Sequence, residues 1–157
     1  MPTIALNRQA RHNFEILETY EAGIVLKGYE VKAIKTGLVN LKGSYISLKK
    51  DEETKELAPY LVKAHVGRYK PAGDIEDYSA ERDRKLLLTR KEIGYLLGKS
   101  QEAGLTLVPL KLYTKHSFIK LEIGLVRGKK QYDKREDIKK RELDRRFRAL
   151  KKEKFRY

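Results

Sequence analysis

Residues 119–125, IKLEIGL, decide the fold class of this chain. Aliphatic side chains occupy every second position, and Lys120, Glu122 and Gly124 lie between them. Because successive side chains of a β-strand point to opposite faces, this alternation is typical of a half-buried strand. We therefore expect a sheet with one face on a core and the other in water.

The same period of two recurs along the chain and predicts a mainly β fold. About six strands are expected, at residues 13–19, 23–27, 45–49, 60–66, 105–112 and 119–125. Turn-forming residues separate several of them, as at residues 21–23, 50–53 and 71–74. Short strands at this spacing favour a small antiparallel barrel or sandwich.

Two segments interrupt the strands with helical patterns. Residues 30–35, EVKAIK, lie between glycines and predict one or two turns. The second helix begins with Thr89 and Glu92, which form a capping-box pattern in which each side chain satisfies a free amide. Apolar residues follow at helical spacing, and Gly104 is a plausible left-handed stop.

Charge points to the class of partner. The 157 residues, 40% of them hydrophobic, suffice for one domain with a core, and 36 Lys and Arg against 22 Asp and Glu give a net charge of +14. This surplus favours a polyanion, nucleic acid first and an anionic membrane second. The sequence contains no apolar run of roughly 18 residues and no signal-peptide core, so we expect a cytoplasmic protein.

The excess charge is concentrated in a C-terminal tail, residues 128–157. The tail holds 14 Lys and Arg against 6 Asp and Glu, a net +8 of the total +14. Its few apolar residues, among them Leu143, Phe147 and Leu150, form a stripe too thin to fold alone. We therefore expect a domain at residues 1–127 and a tail that is disordered when free and helical against a polyanionic surface.

Enzymatic signals are weak. Cysteine is absent, and the three histidines have no spacing typical of metal ligands or of a catalytic triad. Residues 94–100, GYLLGKS, resemble a phosphate loop, but three residues separate the glycines where four are needed. We expect no catalytic residue, no metal site and no cofactor.

Six strings, in order along the chain, resemble the SsrA-binding protein family, small protein B. They are residues 7–12 (NRQARH), 18–24 (ETYEAGI), 28–32 (GYEVK), 84–88 (RKLLL), 108–110 (VPL) and 128–135 (GKKQYDKR). The resemblance implies an oligonucleotide-binding (OB)-type barrel with flanking helices and a basic tail. It also implies a non-enzymatic adaptor of trans-translation that binds the tRNA-like domain of transfer-messenger RNA (tmRNA).

The resemblance also implies site residues. Asn7, Glu21, Leu87 and Lys120 would face the RNA. Each has another interpretation: Asn7 as a helix cap, Glu21 as a turn residue, Leu87 as core and Lys120 as a solvent-exposed strand residue. One departure lies upstream of RKLLL, where Ser79 and Ala80 replace an Asp-Pro pair found in many relatives.

For the tail, the resemblance implies entry into the decoding centre and the mRNA channel of the small ribosomal subunit, in the A site. The matching residues are Lys129, Lys130, Tyr132, Asp133, Lys134 and Arg135, with Gly128 as a hinge. The implied partners are tmRNA, the small subunit of the ribosome, and elongation factor Tu with GTP, which would be contacted through tmRNA. No membrane partner is implied. The alternatives are a ribosomal or general RNA-binding OB barrel and, in another class, an RNA-processing enzyme, which would need clustered carboxylates or histidines.

Overall fold

The computed structural model describes residues 2–73, 78–128 and 131–154, without the side chains of residues 131–137 and 150–154. Strands dominate the described chain, and helices lie between them. In order, the elements are β1 (Thr3–Leu6), α1 (Arg8–Asn13), β2 (Phe14–Ile24), α2 (Gly28–Lys35), β3 (Val39–Asn40), β4 (Tyr45–Lys50), β5 (Leu57–Val62), β6 (His65–Val66), a 3₁₀ turn (Lys70–Ala72), β7 (Arg84–Leu87), α3 (Arg90–Ser100), β8 (Leu105–Lys115), β9 (Phe118–Gly128) and α4 (Gln131–Lys154).

Seven of the strands form one antiparallel sheet in the order β1-β8-β9-β2-β7-β5-β4, and β3 pairs with β6 in a small ribbon. The mainly β fold with flanking helices is therefore confirmed. The sheet does not close into a barrel, because its edge strands β1 and β4 are not hydrogen-bonded to each other. Strand β4 instead lies beside β8 without joining its ladder.

The expected break between residues 13–19 and 23–27 is wrong. A single strand, β2, runs through Gly23, which pairs with Leu87 of β7 on one side and Lys120 of β9 on the other. A Cβ on Gly23 would lie 3.3 Å from the Cβ of Leu87, so glycine here permits close packing of a neighbouring strand. The short strands β1, β3 and β7 were not predicted, and the single strand expected at residues 60–66 is wrong, because β5 ends at Val62 and β6 joins a different sheet.

Both predicted helices are present. Helix α2 covers the expected residues 30–35 and begins earlier, at Gly28. In α3 the Thr89 hydroxyl accepts from the Glu92 amide at 3.2 Å, and the Glu92 carboxylate accepts from the Thr89 amide at 3.1 Å, which confirms the capping box. The helix ends at Ser100, and Gly104, at φ 81°, forms the turn into β8 instead.

The two faces of the sheet are covered differently. On the inner face, residues such as Ala22, Leu121 and Ile123 pack with residues of α2 and α3 in the main core. On the outer face, α1 covers one end, where Ala10 packs with Val108, Leu110 and Val126 in a second, smaller core. The rest of the outer face, built by β2, β7, β8 and β9, carries polar side chains.

A buried ion pair joins α2 to β7. Both side chains are only 1% exposed, and the Arg84 Nε donates to the Glu30 Oε2 at 2.6 Å. The other guanidinium nitrogens donate to the carbonyl oxygens of Ala64, Ala80 and Arg82 at 3.0 to 3.1 Å. The network thus fixes β7 to α2, to the loop between β5 and β6, and to the segment that precedes β7.

Glu30 is ionised in this network. Burial alone would raise the pKa of its carboxyl, but hydrogen bonds from Arg82, the Lys27 amide and Arg84 outweigh burial and lower the pKa. Since the charge is paired and its oxygens are satisfied, the pair is tolerated in the core.

The tail forms the helix α4, about 36 Å long at 1.5 Å per residue. All side chains of residues 138–149 are exposed, including Ile138, Leu143 and Phe147. No hydrogen bond or ion pair joins these twelve residues to another part of the described chain. The expectation that the tail is disordered when free and folds on the ribosome stays a prediction.

We expect Arg84→Met to lower the free energy of unfolding by about 3 to 5 kcal/mol, because it removes the buried cation that pairs with the Glu30 Oε2 and leaves three carbonyl oxygens without their donor, while Glu30 keeps only Arg82 and the Lys27 amide. The matched control is Arg90→Met, which removes an exposed pair with Glu56 and should cost about 1 kcal/mol or less. Urea unfolding measures both. Equal small losses would show that the buried pair does not support the fold.

Candidate nucleic-acid interface

A row of four residues crosses the open part of the outer face. Leu87 of β7 lies opposite Gly23 of β2, Gly23 opposite Lys120 of β9, and Lys120 opposite Tyr113 of β8. Directly opposed residues in antiparallel strands point to the same face of the sheet. Glu21, two positions before Gly23 on β2, shares this face. The sheet therefore brings Glu21, Leu87 and Lys120 together, although they lie far apart in the sequence.

Glu21 is held by its neighbours on β8. Its Oε2 accepts from the Tyr113 hydroxyl at 2.7 Å, and the Lys115 Nζ lies 3.3 Å from both carboxylate oxygens. The hydroxyl of Tyr113, with the charges of Lys115 and Lys120, lowers the pKa of Glu21. The carboxylate stays ionised at neutral pH and can accept hydrogen bonds from a ligand. It is part of a strand, not of the turn that the sequence had suggested.

Lys120 is partly exposed and lies between Gly23 and Tyr113. Its ammonium makes no hydrogen bond or ion pair with another described residue. Its cross-strand neighbour on β2, Gly23, has no side chain, so no side chain of β2 at this position covers Lys120. A free ammonium in this position can bind a phosphate.

Leu87 is 53% exposed and packs over Gly23. Leu86, the preceding residue of β7, is 1% exposed and belongs to the main core. Successive side chains therefore alternate between core and solvent, as expected for a half-buried strand. Leu87 is therefore not a core residue, and its side chain is available to a partner.

A cleft of about 260 Å³ opens beside this row. Its lining is rich in hydrogen-bonding groups from three strands: Thr19, Tyr20, Glu21, Lys111, Tyr113 and Glu122. Glu122 lies opposite Glu21, and the Lys111 Nζ lies 3.7 Å from its carboxylate. The cleft thus combines carboxylate acceptors with cationic donors, a set suited to the polar edges of nucleobases.

Asn7 lies away from this row, at the start of α1. It is 4% exposed, its Nδ2 donates to the Pro109 carbonyl at 2.8 Å, and its Oδ1 accepts from the Ala10 amide at 3.1 Å. Asn7 is thus the N-cap of α1, as its alternative interpretation proposed. These bonds fix α1 on the sheet, and contact between Asn7 and RNA stays a prediction.

Several residues of the face were not predicted. Tyr113, Lys111 and Lys115 on β8 and Phe118 on β9 carry side chains on the outer face, next to the predicted residues. The alternation in β9 could have indicated Phe118, because this residue lies two positions from Lys120 and so shares its face. The alternation did not indicate, however, which face of the sheet was open. Only the pairing of β8 with β9 shows that their polar positions coincide.

The predicted tail residues lie largely beyond what the structure describes. Lys129 and Lys130 are outside the described residues. Tyr132, Asp133, Lys134 and Arg135 belong to the first turns of α4, but their side chains are not described.

Two further observations concern other classes of site. Within residues 2–73, 78–128 and 131–154, no group of three or more His, Asp or Glu side chains could hold a metal ion. In the same part of the chain, none of the helices is long and apolar enough to cross a membrane.

Comparison with known proteins identifies relatives over nearly the whole chain. The family model described as SmpB protein matches residues 4–153. The SsrA-binding protein of a Nitratiruptor species is 49% identical, with 98% of this chain and 99% of the relative covered. That of Geobacillus thermodenitrificans is 48% identical, with 95% and 94% covered.

A solved structure is similar as well. It is described as "tmRNA-SmpB: a journey to the center of the bacterial ribosome", and it aligns with a TM-score of 0.64 at 45% identity over 83% of this chain and 87% of that one. The fold, the ordered motifs and these matches agree, and the chain belongs to the SmpB protein family.

Proposed function

We propose that this protein is an RNA-binding adaptor of trans-translation that binds the tRNA-like domain of tmRNA. The observation that carries the proposal is the clustering of Glu21, Leu87 and Lys120 on the open part of the outer face. The SsrA-binding name of its relatives and the tmRNA-SmpB structure support the choice of RNA.

The chemistry of this face suits a folded RNA with unpaired loops. Lys120 and the other cations on the face bind phosphates, which supply most of the affinity. The Glu21 carboxylate, ionised and an acceptor only, accepts from the amino or imino groups of exposed bases. Leu87 packs against a base or ribose at the edge of the site. Such contacts recognise unstacked loops better than a regular RNA duplex, because protein side chains cannot enter the deep major groove of the duplex.

In the proposal Asn7 supports this face from the end of the sheet that α1 covers. By capping α1 and binding the Pro109 carbonyl, it keeps α1 over one end of the sheet and leaves the other end open. Its effect on RNA binding is then indirect, through the position of α1.

The tail acts after RNA capture in this proposal. The tmRNA complex, with elongation factor Tu and GTP, delivers the protein to the A site of a stalled ribosome, where the protein substitutes for the missing codon and anticodon stem. The basic tail, with Lys129, Lys130, Tyr132, Asp133, Lys134 and Arg135, enters the decoding centre and the empty mRNA channel. A helix about 36 Å long with exposed side chains along residues 138–149 is suited to a channel lined by ribosomal RNA.

The protein performs no bond chemistry in this role and needs no cofactor, and it acts in the cytoplasm. Its contribution is to position an RNA, which requires complementary shape and charge but no nucleophile, acid or base.

Lys120→Ala should weaken binding to the tRNA-like domain and make the slope of log affinity against log salt shallower by about one unit, because one phosphate contact is lost. Titration of the RNA at several salt concentrations measures both quantities. The matched control is Lys35→Ala, an exposed lysine on α2, which packs on the inner side of the sheet. An unchanged slope for Lys120→Ala would remove Lys120 from the interface.

Truncation after Arg127 should preserve binding to the isolated tRNA-like domain and abolish peptide tagging on stalled ribosomes. The reason is that residues 138–149 make no hydrogen bond or ion pair with the sheet that carries the proposed RNA site. Affinity measurement and a tagging assay give the two readouts, and urea unfolding controls for folding of the truncated protein. Loss of RNA capture together with tagging would contradict this division of roles.

A further inference from the structure

Phe118 is an exposed aromatic residue at the start of β9. Its side chain is 69% exposed, the largest value among the large hydrophobic residues in the part of the chain described here. Several other aromatic residues make ring contacts: Tyr113 lies under the Lys111 ammonium, for example, with 5.4 Å from Nζ to the ring centre. No such ring contact is made by Phe118 with another described residue.

The backbone holds Phe118 in a defined position. It is the first residue of β9 and pairs with Lys115, the last residue of β8, across a two-residue turn. The turn residues His116 and Ser117 both have positive φ, at 51° and 70°, which is typical of a type I′ hairpin. Non-glycine residues adopt this conformation only when the surrounding structure imposes it, so the turn and the pair with Lys115 fix the backbone position of Phe118.

The surroundings of Phe118 are cationic and polar. Lys115 is its cross-strand partner, and Lys120 lies two residues further along β9 on the same face. His116 and Ser117 beside it are exposed. An apolar protein partner would require a broad hydrophobic patch, whereas a single ring among lysines fits a base flanked by phosphates.

We propose that Phe118 stacks on an unpaired nucleobase of the RNA that occupies the outer face, while Lys115 and Lys120 bind the phosphates on either side. This inference rests on the proposed function and adds a stacking position at the tip of the β8–β9 hairpin to the site formed by Glu21, Leu87 and Lys120. Stacking tolerates any base, so Phe118 contributes affinity for an unstacked loop and not base identity.

The test compares three variants of the full chain. Phe118→Leu keeps an apolar side chain but removes the ring, Phe118→Trp keeps a stacking surface, and Tyr45→Leu is the control, because Tyr45 is 40% exposed on β4, beside α1. The RNA is the tRNA-like domain of tmRNA with 2-aminopurine placed at successive unpaired loop positions. Its fluorescence is quenched when the base stacks.

We expect Phe118→Leu to weaken binding about tenfold and to abolish quenching at one loop position under saturating protein, since one stacked base loses its aromatic partner. Phe118→Trp should bind within about twofold of the unsubstituted protein and restore quenching at that position. Tyr45→Leu should change neither affinity nor quenching.

Unchanged affinity and quenching in Phe118→Leu, with the RNA still preferred over a duplex, would overturn the stacking role and leave the proposed function intact. An equal loss in Tyr45→Leu would also overturn it, because removal of any exposed ring would then have the same effect. If the unsubstituted protein bound the tRNA-like domain no better than a duplex, the proposed function would fail, and the stacking inference with it.

Discussion

The buried ion pair between Glu30 and Arg84 is the constraint on which the sheet depends. Strand β7 contains only four residues and is the junction between β2 and β5, with two paired positions on each side. Such a short ladder fixes the register of the strands only weakly. Hydrogen bonds compensate for this, because Arg84 donates to Glu30 of α2 and to carbonyl oxygens of neighbouring loops. Glu30 in turn accepts from Arg82 and from the Lys27 amide. Placing β7 correctly places Leu87 over Gly23, which completes the row with Lys120.

The open part of the outer face, which carries the proposed RNA site, results from unequal covering of the sheet. Helix α1 lies on one end because Asn7 caps it and also binds a strand carbonyl, so the second core forms there and excludes water. No comparable helix of the described chain covers the other end, where Glu21, Lys120, Leu87 and Phe118 remain accessible. In each strand the core residues occupy alternate positions, and the positions between them face water. The water-facing positions can therefore carry the proposed RNA site without disturbing the core.

Local patterns predicted the parts of this architecture that depend on local physics. The alternation in β9, the helix at α2 and the capping box of Thr89 and Glu92 follow from backbone geometry and are present as expected. The strand break predicted near Gly23 was wrong, because glycine at this position provides space for Leu87, a residue distant in the sequence. The Glu30 and Arg84 pair and the accessibility of Phe118 were missed for the same reason, since burial depends on strand pairings that one sequence does not specify. The resemblance to the family indicated Glu21, Leu87 and Lys120, and the pairing of β7 with β2 and of β2 with β9 explains why they lie together.

The most direct test of the account is competition binding at about 0.15 M salt, in which the tRNA-like domain of tmRNA competes with ordinary tRNA and with a duplex of matched length. All three RNAs attract a protein of charge +14, so charge alone predicts similar affinities. We predict a strong preference for the tRNA-like domain over both competitors. Equal binding to all three would contradict it and would leave a basic sheet protein with general affinity for RNA.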